Sequence, residues 1–200
     1  MSKLKSCPVL FFTLAPPSAP RYILKPDDFA RLEGVYRSML DGRFVTLVRD
    51  TDALRIERGA ALIAQSGTRF VTTGGQTWEF DERGHARAQD RYDIVEYERV
   101  SAVKPTVEEL KVLAGTYVSD EAETTLLVAM EGGTLVLNRR PDVKVPLTPV
   151  YKDAFNAPPL GVVLFRRDAS GQASALSVVQ DRVWDLRFSL QRPGNIGASR

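Results

Sequence analysis

Leu113-Ala114-Gly115-Thr116-Tyr117-Val118-Ser119-Asp120-Glu121 has an earlier copy 81 positions upstream, Leu32-Glu33-Gly34-Val35-Tyr36-Arg37-Ser38. The same offset of 81 pairs Leu54 with Leu135 and Arg58 with Arg139 with no change of register. Further on the offset becomes 85, where Leu62, Phe70 and Phe80 match Leu147, Phe155 and Phe165. It then becomes 91, where Asp90-Arg91 and Tyr97 match Asp181-Arg182 and Phe188. A drifting but ordered set of matches is an internal repeat, and the drift places insertions between matched blocks, in loops. The chain is therefore two copies of one small unit.

Within each unit the period of apolar residues is two. Leu126, Val128 and Met130 alternate with Leu127 and Ala129, Glu131-Gly132-Gly133 makes a turn, and Leu135-Val136-Leu137 starts the return strand of a hairpin. Val162 to Phe165, Ala175 to Val178 and Val183 to Phe188 continue as short strands, and the first copy runs in parallel through 44–48, 54–57, 77–80 and 92–97. Strands such as Tyr92-Asp93-Ile94-Val95-Glu96-Tyr97-Glu98-Arg99 bury one face and wet the other. The fold class that follows is all-β: two tandem small antiparallel barrels of up to eight strands, because closure removes exposed edges. A short helical turn precedes each barrel, at Asp27 to Arg31 and at Thr106-Val107-Glu108-Glu109, the latter a capping box.

The expected division is a proline-rich, disordered leader at 1–25, a first barrel at 26–101, a second at 102–192 and a flexible tail at 193–200. In the repeated motif, Gly34 and Gly115 mark a strand bend or a close approach of another backbone. Tyr36 and Tyr117 point into the core, each with a partner for its hydroxyl.

A charge of +2 from 27 basic and 25 acidic residues offers no basic face for nucleic acid. No apolar run reaches the ~20 residues of a membrane-spanning helix. The start, Met1-Ser2-Lys3-Leu4-Lys5 and then Val9 to Ala15, has the charge and apolar core of a weak secretory signal, interrupted by Cys7-Pro8. A cytoplasmic and a periplasmic location both stay open. One cysteine, Cys7, and one histidine, His85 in a turn, assemble neither a disulfide nor a zinc-type cluster, so no cofactor is expected. Ser2-Lys3-Leu4-Lys5 is formally Ser-x-x-Lys, but the accompanying Ser/Tyr-x-Asn and Lys-Thr-Gly elements are missing from the sequence. The recurring Asp90-Arg91 and Asp181-Arg182 fit a carboxylate-binding ion pair or a plain surface turn, and the surface turn is favoured.

The second copy carries extra residues in Arg139-Arg140-Pro141-Asp142-Val143-Lys144-Val145-Pro146 and in Tyr151 to Pro159. Read as long loops on a rigid barrel, these supply the candidate contacts to a partner or ligand: Arg139, Arg140, Lys144, Tyr151, Lys152, Asp153 and Phe155.

Gly115-x-Tyr117-x-Ser119-Asp120-Glu121, Glu131-Gly132-Gly133-x-Leu135, Leu147-x-Pro149, Asp153-x-Phe155 and Phe165-Arg166-Arg167-Asp168-x-x-Gly171 together resemble the lipocalin-like C-terminal domain of serine hydrolases of the β-lactamase and penicillin-binding-protein class. The two-barrel arrangement is similar to that of D-aminopeptidases, and the likeness covers about residues 27 to 191. In that family the catalytic serine, lysine and tyrosine belong to a preceding domain, to which no segment here corresponds. The resemblance thus implies a non-catalytic accessory module that packs on a catalytic domain and shapes access to it, with Arg139 to Leu160 nearest that domain. The implied partner is such a hydrolase domain or another copy of the chain. The alternative is a stand-alone, lipocalin-like binder of a small apolar ligand.

Overall fold

The structure, a computed structural model, describes residues 22–139, 143–180 and 182–192. The signal-like start with Ser2, Lys5 and Cys7, the candidate contact Arg140, Asp181 and the tail at 193–200 lie outside the described residues.

Helix α1 (Pro26–Leu32) leads into β1 (Gly34–Ser38), β2 (Phe44–Asp50), β3 (Ala53–Ile56), β4 (Ala61–Ala64), β5 (Arg69–Thr72), β6 (Thr77–Phe80), β7 (His85–Gln89) and β8 (Ile94–Val100). Helix α2 (Val107–Lys111) leads into β9 (Gly115–Ser119), β10 (Thr124–Glu131), β11 (Thr134–Arg139), β12 (Val143–Tyr151), β13 (Ala154–Asn156), β14 (Val162–Arg167), β15 (Ala173–Gln180) and β16 (Val183–Leu190). Each set of eight is an antiparallel meander in which sequential strands pair, closed by β1 on β8 and by β9 on β16. The expected pair of tandem eight-stranded barrels is what the chain forms.

Eight strands enclose an interior that side chains alone fill. In the first barrel Tyr36, Leu47, Leu54, Leu62, Phe70 and Trp78 are almost wholly buried, and in the second Tyr117, Val128, Leu135, Leu137, Val163 and Leu176 are. The repeat is exact enough to preserve ring geometry. Phe80 meets Tyr36 at 5.7 Å and Phe70 at 5.4 Å, edge to face, and Phe165 meets Tyr117 at 5.8 Å and Phe155 at 5.3 Å in the same way. Such contacts contribute roughly 0.5–1.5 kcal/mol each beyond the area they bury.

The repeated motif is the junction between helix and barrel. The Tyr36 hydroxyl donates to the Leu32 carbonyl at 3.0 Å, and the Tyr117 hydroxyl to the Leu113 carbonyl at 2.8 Å. Both leucines are buried, so each tyrosine fastens the incoming turn over one end of its barrel. The glycine two residues earlier has a common cause in both copies, a crossing side chain rather than a crossing backbone. A Cβ on Gly34 would lie 2.9 Å from Arg99 Nε, and one on Gly115 would lie 2.5 Å from Leu190 Cδ1. Arg99 and Leu190 are repeat counterparts, paired with Tyr36 and Tyr117 in the closing ladders. In the first copy the Arg99 guanidinium also donates to the carbonyls of Ala30 and Glu33, tying the end of α1 to the closing strand.

The helical turns start as expected. Thr106 Oγ1 accepts the Glu109 amide at 3.3 Å while Glu109 Oε2 accepts the Thr106 amide at 2.7 Å. Pro26 opens α1, and Asp28 accepts the Lys25 amide at 2.9 Å.

Three expectations need correction. The end of the leader packs: Leu24 belongs to the first core and the Tyr22 amide donates to the Ala64 carbonyl. The strand expected from Tyr92 starts at Ile94, because Asp90 Oδ1 accepts the amides of Tyr92 and Asp93 and turns the chain there. Of the extra residues of the second copy, Val143 to Pro146 lengthen a paired strand instead of forming a loop, so that β12 has nine residues against four in β4, and farther on β15 has eight against five in β7. Pro146 and Pro149 are compatible with a strand because each has a ladder neighbour on one side only. β13 ends at Asn156, opposite Thr148, and β11 begins at Thr134, just short of the position facing Pro149.

Candidate functional site: the crevice between the barrels

Of the six described contact candidates, Tyr151, Lys152 and Asp153 line one crevice together with Arg37 and Glu98 of the first barrel, while Arg139, Lys144 and Phe155 do not join them. Arg139 and Lys144 lie at the turn end of the β11–β12 hairpin, and Lys144 Nζ binds Glu131 at 2.7 Å. Tyr151 lies at the far end of β12, roughly 23 Å along the strand from Lys144. Lys152 is exposed at the tip. Asp153, in the left-handed region at φ 61°, accepts from Arg167 Nε on both carboxylate oxygens, at 3.1 and 2.9 Å, and from Arg167 Nη2 at 2.6 Å. Phe155 is corrected outright, since it is buried in the second core against Phe165 and offers no surface.

Tyr151 does contact a partner, but that partner is the other barrel of the same chain. Its hydroxyl donates to the Gly42 carbonyl, and the Arg37 guanidinium lies 5.6 Å over its ring. Burial pushes its phenol up to about 12, with nearby Arg37 opposing the rise. Around it Val35 and Ala154 are buried, and Phe44, Val100, Val150 and Leu164 pack against them, a third apolar cluster joining the outer faces of the barrels. The Val103 amide donates to the Val150 carbonyl at 3.2 Å, pinning the linker to β12. Gly42, at φ +76°, makes this approach possible, because a Cβ there would lie 2.7 Å from Leu164 Cδ1 and 3.2 Å from Tyr151 Oη.

Beside this joint opens a crevice of about 700 Å³. Phe44, Val45 and Val95 line it from the first barrel and Val162 and Val179 from the second. Its polar groups fall into two sets. Ser38 Oγ accepts the amides of Leu40 and Asp41, Arg43 Nε binds Asp41 Oδ2 at 2.7 Å, and Gln180 Nε2 donates to the Leu160 carbonyl at 2.8 Å. Burial works against the Asp41 carboxylate, but hydrogen bonds from Ser38 and Arg43 outweigh it and hold its pKa below the usual value. The second set, the Tyr97 hydroxyl, the Asn156 amide and the Arg182 guanidinium, has no side-chain hydrogen bond or ion pair among the described residues. The Tyr97 ring is fixed by stacking on Trp78 at 5.2 Å and 23°. Burial raises its pKa, so at neutral pH the Tyr97 side chain lining the crevice carries a neutral hydroxyl able to donate.

These residues come from four separated segments, around 38–45, 95–97, 156–162 and 179–182, with no motif linking them. In the sequence, the recurrence of Asp181-Arg182 drew attention to Arg182, and the stretch from Tyr151 to Pro159 included Asn156. His85 lies in an exposed turn, its Nδ1 3.1 Å from Asp81 Oδ2. No group of three or more histidine, cysteine or acidic side chains able to hold a metal ion occurs among the described residues. No helix among them is long and apolar enough to cross a membrane. No family model matches the chain, and no curated protein matches it.

Proposed function

We propose that the chain is a non-catalytic interaction module that packs on a catalytic domain of the β-lactamase-class serine hydrolases and shapes access to it. The observation that carries this reading is that both barrels are filled by their own side chains, from Tyr36, Phe70 and Trp78 in one to Tyr117, Phe155 and Phe165 in the other. A filled barrel works through its outer surface, as a rigid body that positions another domain. The motifs shared with the C-terminal barrels of those hydrolases, Gly115-x-Tyr117 through Phe165-Arg166-Arg167-Asp168, supply the partner class.

The test is to search the reading frames flanking the gene for a serine hydrolase with Ser-x-x-Lys and Tyr-x-Asn, to mix its purified catalytic domain with the chain, and to follow complex formation by sedimentation. A stable complex of defined stoichiometry is the expected result. Hydrolysis of p-nitrophenyl esters or D-aminoacyl p-nitroanilides that follows the chain through every purification step and is lost with it would overturn the non-catalytic reading. Absence of such a flanking hydrolase, or of any complex with it, would overturn the choice of partner.

A further inference from the structure

We propose that the crevice between the barrels binds a small carboxylate that carries an apolar body, using Arg182, Tyr97 and Asn156 as its polar contacts. This goes beyond the pairing with a hydrolase domain and does not rest on it.

The crevice, at about 700 Å³, has the size of a small-molecule site, and its lining divides almost evenly between apolar and polar residues, as a ligand with an apolar body and a charged head requires. Phe44, Val45, Val95, Val162 and Val179 give the apolar body something to bury against. The polar groups have chemistry that selects the head. Arg182 is a cation with no acidic partner among the described residues, and a guanidinium presents a fork that matches the two oxygens of a carboxylate. Tyr97 offers a neutral hydroxyl donor and Asn156 an amide with both donor and acceptor. A carboxylate accepts from all three.

The second basic residue lining the crevice, Arg43, already serves Asp41, so the selectivity falls on Arg182. The repeat supplies an internal control. Arg91 is the counterpart of Arg182 one copy earlier, in the β7–β8 turn, and it does not line the crevice. Equivalent turns therefore have different surroundings, because the two barrels meet through unlike faces, β1, β2 and β8 of one against β12, β13 and β14 of the other. The site exists only where both barrels contribute, Tyr97 from β8 of the first and Asn156 and Arg182 from the second.

The experiment uses the full chain and octanoate as the probe, with octanol as its uncharged counterpart. Calorimetric titration is read beside tryptophan fluorescence in a Trp184→Phe background, where it reports Trp78, whose ring stacks on Tyr97. Octanoate is expected to bind saturably at one site per chain and octanol at least tenfold more weakly. Arg182→Ala is expected to weaken octanoate about tenfold or more and Tyr97→Phe several-fold, with Arg91→Ala matching the parent. Arg182 sits in an exposed turn, so its variant keeps the fold and keeps the test decisive even where Tyr97→Phe lowers stability. No saturable binding of octanoate at millimolar concentrations overturns the proposal, as does equal affinity for octanol, or an Arg182→Ala variant that binds like the parent.

Discussion

Replacing Tyr117 by Phe removes one oxygen and leaves the ring where it packs on Phe165. The structure then sets the size of the effect. The Tyr117 hydroxyl is fully buried and donates to the Leu113 carbonyl at 2.8 Å, which loses that partner in the variant. A buried hydrogen bond whose acceptor is left without a partner costs about 1–2 kcal/mol. For a barrel of about 75 residues, Gly115 to Leu190, unfolding by itself, that is a fall in Tm of roughly 6–12 °C. If the third apolar cluster couples the barrels into one unit of about 160 residues, the same loss lowers Tm by only ~3–6 °C. Tyr36→Phe, which breaks the matching bond to Leu32, is expected to cost the same within ~0.5 kcal/mol. Differential scanning calorimetry and urea unfolding of both variants give the free energy and the size of the cooperative unit together. Either variant lying within ~0.3 kcal/mol of the parent would refute the claim that this bond fastens the helical turn to the barrel.

Gly42→Val is expected to open the joint between the barrels at a cost of about 2 kcal/mol or more, since the left-handed backbone and the 2.7 Å approach of Leu164 both exclude a side chain. Hydrogen exchange at the Val103 amide, bonded to Val150 across the joint, reports it, and protection equal to the parent's would count against the reasoning. Alkaline pH is expected to destabilise the chain through Tyr117 and Tyr151, both pushed from 10.0 to about 12 by burial. A phenol with a raised folded-state pKa stabilises fully below the unfolded value and loses that contribution as pH climbs from 10 through 12. Urea unfolding across this window, with phenolate absorbance alongside, checks the sign, and stability that stays level there would contradict it.

The features legible in sequence were those that local chemistry repeats. Leu-x-Gly-x-Tyr recurred because the same hydroxyl must reach the same carbonyl, and Phe70, Phe80, Phe155 and Phe165 recurred because the same ring contacts fill both interiors. Thr106 and Glu109 were readable because a capping box needs only neighbouring residues. β12 was hidden by Pro146 and Pro149, which deny a strand unless its neighbours stop short, and that depends on the register of distant segments. Phe155 was assigned to a surface because its flanking prolines suggested a loop, although its match with Phe70 already pointed inward. The crevice was beyond reach for a different reason. It is a property of how two closed surfaces meet, and Tyr97, Asn156 and Arg182 share no spacing that would announce it.

The unequal hairpins of the two copies bear on how the chain avoids tangling with itself. Tandem copies of one sequence pattern can trade strands while folding, each offering the other a nearly correct edge. Here β3 and β4 pair over two rungs and β11 and β12 over five, while β6 and β7 pair over four and β14 and β15 over six. A β12 seated in the place of β4 would leave more than half of its nine residues hanging past the end of a four-residue neighbour, with backbone groups unpaired. Difference in strand length thus sorts the hairpins, letting one blueprint be used twice in succession with each barrel accepting only its own parts.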